Sequence, residues 1–178
     1  MSELFLNQTR ILTSADIPNS YWNLLDGTAD FSKISNNVYD GEKHSDVKTP
    51  AGNMSFHKTQ AWNYPTFDYM TQKGKIYTFS FSVKFMKKMS GKMVVYSDPK
   101  FDILKQTDID MPNEPLDTWI RSSYTIKSNV DEEISFGLAS SVAGDTYVGD
   151  YMLNEGAWPL AWNYSLNDFK NKMETSTH

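Results

Sequence analysis

Apolar and polar side chains alternate with a period of two along much of the chain. The clearest run is IYTFSFSVKF, where Tyr77, Phe79, Phe81, Val83 and Phe85 fall on one side and Thr78, Ser80, Ser82 and Lys84 on the other. That pattern is what a strand needs when one face joins a core and the other meets solvent. Gly74, between Lys73 and Lys75, punctuates its start, and KKMSGK supplies a turn before a second strand at Met93–Ser97, so the pair reads as a hairpin. TWIRSSYTIKS sets Ile120, Ser122, Tyr124 and Ile126 against Trp119, Arg121, Ser123 and Thr125. EISFGLAS repeats the device through Ile134, Phe136 and Leu138. TYVGDYMLNEG does so through Tyr147, Tyr151 and Leu153, with Val148 and Met152 making its other face less polar.

Such segments dominate from Asn23 onward, separated by Gly, Asn, Asp and Pro signals with no convincing helix between them. The prediction is an all-β fold, an antiparallel β-sandwich of jelly-roll topology, over residues 21–164. Residues 1–20 carry one modest apolar patch followed by Asp16, Pro18 and Asn19, and read as an extended connector. Residues 165–178 read as a short C-terminal helix and linker. Ser165 with Asp168 three residues later makes a capping pattern, and Leu166, Phe169 and Met173 share one helical face. That stripe either packs on the sandwich or pairs with copies of itself.

The totals narrow the chemistry. A chain of 178 residues suits one domain, and no apolar run is long enough to span a bilayer. Its start, MSELFLNQTR, lacks the features of a secretory signal. The formal charge of −5, with no basic cluster beyond Lys84 to Lys92, speaks against a nucleic-acid partner. With no cysteine, disulfides, thiolate metal sites and thiol catalysis are excluded. Aromatic content of 14% serves either a β core or platforms on which sugar rings stack.

The densest aromatic segment, AWNYPTFDY, offers Trp62 and Tyr64 as stacking surfaces, with Asn63 and Asp68 beside them to bond hydroxyls. Phe67 and Tyr69 alternate as ordinary core would. Trp119 and Arg121 share a strand face, which makes either a ligand platform with a fixed donor fork or a structural cation–π pair. Tyr21, Trp22, Trp158 and Trp162 flank the sandwich and read as packing that seals its end. Near pairs of carboxylates, Asp26 with Asp30 and Asp108 with Asp110, lack any sign of glycosidase geometry or of an EF-hand loop. His44 and His57 lack the close spacing of a zinc site, and no nucleophile or phosphate motif occurs, so no catalytic residue is expected.

Four segments taken in order, NLLDGTADFS, GKIYTFSFSVK, DTWIRSSYTIK and YMLNEGAWPLAWNYSLND, resemble the carbohydrate-binding-module-like domains of bacteriophage tails and baseplates from phages of Gram-positive bacteria. The resemblance covers roughly residues 23–169. It implies a galactose-binding-like jelly roll, non-catalytic, in the virion tail, binding host cell-wall polysaccharide during adsorption beside other tail and baseplate proteins, as a homo-oligomer. It requires no cofactor. Modules of this kind often hold a structural calcium near the chain ends, to which Asp26 or Asp30 would contribute. The alternatives are a spacer or assembly module of the tail without its own ligand, and the carbohydrate-binding module of a bacterial glycoside hydrolase.

Overall fold

The computed structural model describes residues 3–6, 9–13, 21–36, 38, 41–62, 64–88, 91–98, 102–109 and 115–175, the strands at 3–6, 9–13, 91–98 and 102–109 by their backbone pairing. Two sheets carry the fold. The five-stranded one has the order β3 (Gly41–His44), β4 (Ser55–Lys58), β11 (Thr146–Glu155), β6 (Ile76–Phe85), β9 (Trp119–Lys127). The four-stranded one has the order β5 (Thr66–Met70), β10 (Glu133–Ser140), β7 (Gly91–Asp98), β8 (Asp102–Ile109). Every pairing within them is antiparallel. The chain is therefore an antiparallel β-sandwich of the jelly-roll type with one short terminal helix, α1 (Leu166–Thr175).

The inner side chains are those the alternation selects. Tyr77, Phe79, Phe81, Val83 and Phe85 of β6 meet Phe67, Ile134, Phe136 and Leu138 of the opposing sheet in one buried cluster. Phe31 sits at its centre, with ring centroids 5.4 Å from Phe56, 6.0 Å from Phe67 and 5.8 Å from Tyr151. Each such aromatic pair adds about 1 kcal/mol beyond the area it buries.

Four local readings change. The strands at β6 and β7 do not form a hairpin, because β6 already has β11 and β9 on its two edges and the chain crosses to the other sheet. Residues 23–33 are turns rather than a first strand. Gly27 and Phe31 take left-handed backbone, at φ 70° and 54°, and this winds the segment so that Leu25 and Phe31 both enter the core. Within the expected connector, β1 (Glu3–Leu6) pairs antiparallel with β2 (Thr9–Thr13). The last change concerns β11, where the register on β6 shifts between Gly149 and Met152 and Asp150 has φ 51°. This bulge slips the alternation by one residue. Tyr151 and Leu153 thereby join Val148 in the core, and Tyr147 faces outward instead of inward.

Buried Asp150 holds the bulge. Its carboxylate accepts from Thr49 Oγ1 at 2.5 Å, Asn53 Nδ2 at 2.8 Å, the Ala51 amide at 3.2 Å and Ser82 Oγ at 3.2 Å. These bonds lay residues 49–53 across the outer face of the sheet. Gly149 makes room for them, since a Cβ there would come within 2.4 Å of Thr49 Cγ2.

The ends of the sandwich clasp each other. Asn23 bridges to Ser165, its side-chain amide donates to the Tyr151 carbonyl at 2.7 Å, and its Oδ1 accepts from the Leu25 and Leu153 amides. Ser165 Oγ accepts from the Asp168 amide at 3.1 Å, which is the predicted cap, and Phe169 packs on Trp22 at 5.1 Å. The helix lies on its own sandwich.

Replacing Asp150 with Ala should lower unfolding free energy by about 3 kcal/mol, because it strands several buried donors at once. Urea denaturation should show the midpoint falling at unchanged slope, with faster amide exchange at residues 49–53. A loss under about 1 kcal/mol would show that the aromatic core alone sets the bulge.

Candidate functional site

Register places one residue from each strand of the five-stranded sheet in a line across its outer face. Glu42 stands opposite His57, His57 opposite Tyr147, Tyr147 opposite Lys84, and Lys84 opposite Trp119. The line crosses four strand spacings, roughly 19 Å.

Its members touch along the row. The His57 and Tyr147 rings stack with centroids 4.5 Å apart and planes 19° from parallel. Lys84 Nζ lies 5.4 Å from the Tyr147 ring centre and 5.8 Å from that of Trp119, and bonds Asp117 Oδ1 at 2.8 Å. Trp119 Nε1 donates to the Lys48 carbonyl at 3.1 Å, and Asp145 Oδ1 holds His57 Nε2 at 2.8 Å. Burial, and then the Asp145 carboxylate, push the Tyr147 phenol above its ordinary pKa against the pull of Lys84. The outcome is a ridge of half-buried rings flanked by an ammonium and the carboxylates of Asp117, Asp145 and Glu42. Such a ridge suits a ligand that alternates apolar C–H patches with hydroxyls.

Beside the row, along β9, lie Arg121, Ser123 and Thr125 on the same outward face. Arg121 points its fork at the Asp150 carbonyl, 2.7 Å, and at Ser80 Oγ, 2.7 Å. Burial lowers the guanidinium pKa, and the Asp150 carboxylate partly offsets that. Trp119 and Arg121 thus share one face, as the alternation predicted, but Lys84 is the cation over Trp119 and Arg121 serves the bulge. At the far end of the face the 156–160 loop crosses over Thr125, and it leaves Trp158 81% exposed.

The other sequence-selected residues lie elsewhere. Tyr64 is wholly buried, so it cannot be the stacking surface proposed for it. Its neighbour Trp62, at φ 57° with its amide bonded to the Ser140 carbonyl, stays 50% exposed on the loop before β5. Asn63 lies outside the described residues. Asp68 bonds Ser135 on the outer face of the four-stranded sheet, on the side of the sandwich away from Trp119. Of the four end aromatics, Trp22 and Trp162 pack, whereas Tyr21 and Trp158 are exposed, because the clasp reaches only the first two. Tyr147 and Lys84 were missed. Lys84 carried a signal, since it alternates with core positions of β6, but Tyr147 carried none without the bulge.

The carboxylates suggested for calcium are already engaged. Asp26 accepts from Lys33 Nζ at 3.1 Å and Asn167 Nδ2 at 2.9 Å. Burial raises its pKa, but bonds from Ser165, Asn167 and Lys33 outweigh that and hold it below the usual value. Asp30 is exposed and caps its own turn through the Ser32 amide. Among the described residues neither belongs to a group of three potential metal ligands from His, Asp or Glu side chains, and calcium requires six or more oxygens. A groove of about 720 Å³ beside the clasp, lined by Trp22, Tyr69 and Glu155, offers less. Glu155 is bound to Lys75 at 2.8 Å and Trp22 is covered by Phe169.

No family model and no curated protein matches the sequence. Solved structures do. The family 22 carbohydrate-binding module with its catalytic module from Clostridium thermocellum endo-1,4-β-D-xylanase 10B, complexed with xylohexaose, superposes at TM-score 0.57 and 13% identity, covering 80% of this chain and 30% of that one. The C-terminal family 22 module of the same xylanase, described for the role of its cleft residues in ligand binding, gives 0.56 at 14% identity over 81% and 98% of the two chains. A family 16 carbohydrate-binding module gives 0.51 at 12% identity over 74% and 99%. At such identity the likeness establishes the shared fold.

Burial pushes the Tyr64 phenol up to about 12, against an ordinary value of 10.0. Above pH 10 the unfolded chain releases this proton before the folded one does. The stability it confers is therefore complete below pH 10 and is lost between pH 10 and about 12, amounting to about 3 kcal/mol. Chemical denaturation at stepped pH should show Tyr64→Phe removing that part of the alkaline decline.

Proposed function

We propose that the protein is a non-catalytic saccharide-binding module that takes an extended glycan across the outer face of the five-stranded sheet. The observation that carries this reading is the in-register row from Trp119 to Glu42, about 19 Å of rings and charged groups on a rigid sheet. Sugars bind where ring carbons meet aromatic edges and hydroxyls meet fixed donors and acceptors, and the row supplies both. The shared fold with xylanase-associated and family 16 carbohydrate-binding modules supports a polysaccharide ligand.

A shallow surface of this kind binds at about millimolar strength, near −4 kcal/mol. Useful adhesion then comes from several copies acting together, which adds roughly two to four orders of magnitude. The four sequence segments that resemble phage tail modules favour host cell-wall polysaccharide as the ligand and a homo-oligomer among other tail and baseplate proteins as the setting. The fold shared with xylanase modules favours a second reading, a module serving a glycoside hydrolase on β-1,4-xylan.

Affinity electrophoresis separates the two. Retardation in Gram-positive cell-wall polysaccharide but not in soluble xylan supports the adsorption role, and the reverse supports the hydrolase module. In either case Trp119→Ala and Tyr147→Ala should each weaken binding about tenfold or more, while Trp62→Ala leaves it unchanged. Retention of full affinity by the Trp119→Ala, Tyr147→Ala double variant would remove the row as the site.

A further inference from the structure

The row used in the glycan reading ends at His57 and Glu42, on β4 and β3, where a second histidine joins it. There the β3–β4 register sets Glu42 opposite His57 and His44 opposite Ser55, so residues 42, 44 and 57 meet on one outer face. One donor atom from each of Glu42, His44 and His57 lies within 4.8 Å of the others. The His44 and His57 rings are 5.5 Å apart and nearly perpendicular, at 86°. Thirteen residues of sequence separate these histidines, which is why their spacing suggested no zinc site; strand pairing removes that distance.

The surroundings are those of a metal site. His44 Nδ1 is held by Asp46 Oδ1 at 3.1 Å, while its Nε2 is buried, has no hydrogen-bond partner, and lies 3.2 Å from a Glu42 carboxylate oxygen. His57 Nε2 is likewise held by Asp145 at 2.8 Å. A carboxylate on one ring nitrogen orients the ring and leaves the other nitrogen for an ion. Three carboxylates, from Glu42, Asp46 and Asp145, surround two imidazoles and supply the negative field a dication needs.

We propose that Glu42, His44 and His57 form a three-ligand site for a borderline divalent transition metal of the zinc class, with its remaining coordination open to solvent. Two nitrogens and one oxygen suit zinc, cobalt or nickel and disfavour calcium and magnesium, which take oxygen ligands. Bonds of about 2.0–2.1 Å in a tetrahedral arrangement place donors roughly 3.4 Å apart, so the side chains need draw in by about 1 Å. Side-chain rotation at exposed Glu42 provides part of that movement. The site shares Glu42 and His57 with the glycan row, and an ion there would hold His57, on which Tyr147 stacks.

The test is titration of the purified chain with Zn²⁺ by calorimetry and with Co²⁺ by visible absorption. The expected result is one ion per chain, a Co²⁺ spectrum of low coordination number, and unchanged stoichiometry in His178→Ala. His44→Ala and His57→Ala should each lower affinity at least a hundredfold. Asp46→Asn and Asp145→Asn, which keep the ligands, should lower it about 10–100-fold. Metal-free melting curves equal to the parent's establish that the variants fold. Binding that is undetectable, that survives in the His44→Ala, His57→Ala double variant, or that disappears in His178→Ala overturns the assignment. Because the readout is metal alone, failure here leaves the glycan result standing, and the converse holds.

Discussion

The carboxylate of Asp150 is the point on which the outer face of the sandwich turns. An ionised group removed from water requires several donors at once, and it gathers them from Thr49, Ala51, Asn53 and Ser82. In doing so it fixes the one-residue slip in β11. Without that slip, Tyr147 and Tyr151 would point to the same face of the sheet. The same bulge therefore completes the ring cluster around Phe31 and delivers the middle ring of the outer-face row. Arg121, on the same outer face, braces the bulge through the Asp150 carbonyl.

The row itself is a product of sheet order. Its five residues come from five different strands, and only Tyr147 depends on a local irregularity, the bulge at Asp150. What aligns them is antiparallel register, which brings positions 42, 57, 147, 84 and 119 to the same height. Because the strands are tied by backbone bonds, the spacing between neighbouring groups is set by the sheet and not by side-chain flexibility. The rings that cover one another, His57 on Tyr147, lose face area for stacking and leave their edges and the flanking charges to make contact.

The sandwich was legible because β6, β9 and β10 keep strict alternation, and the terminal helix because Ser165 and Asp168 cap it in sequence. Trp119 and Arg121 were correctly put on one face for the same reason. Tyr147 was not legible, since period two assigned it to the side of Tyr151 and a bulge has no reliable sequence mark when a non-glycine residue carries the left-handed backbone. Tyr64 was misplaced because the left-handed turn at Trp62 separates two neighbours that composition treats alike, one 50% exposed and the other sealed. Glu42, His44 and His57 were invisible as a group because their meeting depends on pairing between strands.

The clasp of Asn23 on Ser165 lies at one pole of the sandwich, beside Leu153 at the far end of β11 from Tyr147. Six residues of extended strand separate those two positions, roughly 20 Å. Because the bridge is parallel, opposite pulls on the chain before Asn23 and after Ser165 would load the clasp in shear, across its bonds together. The row around Tyr147 thus stands at the opposite end of β11 from the point where the two chain segments meet.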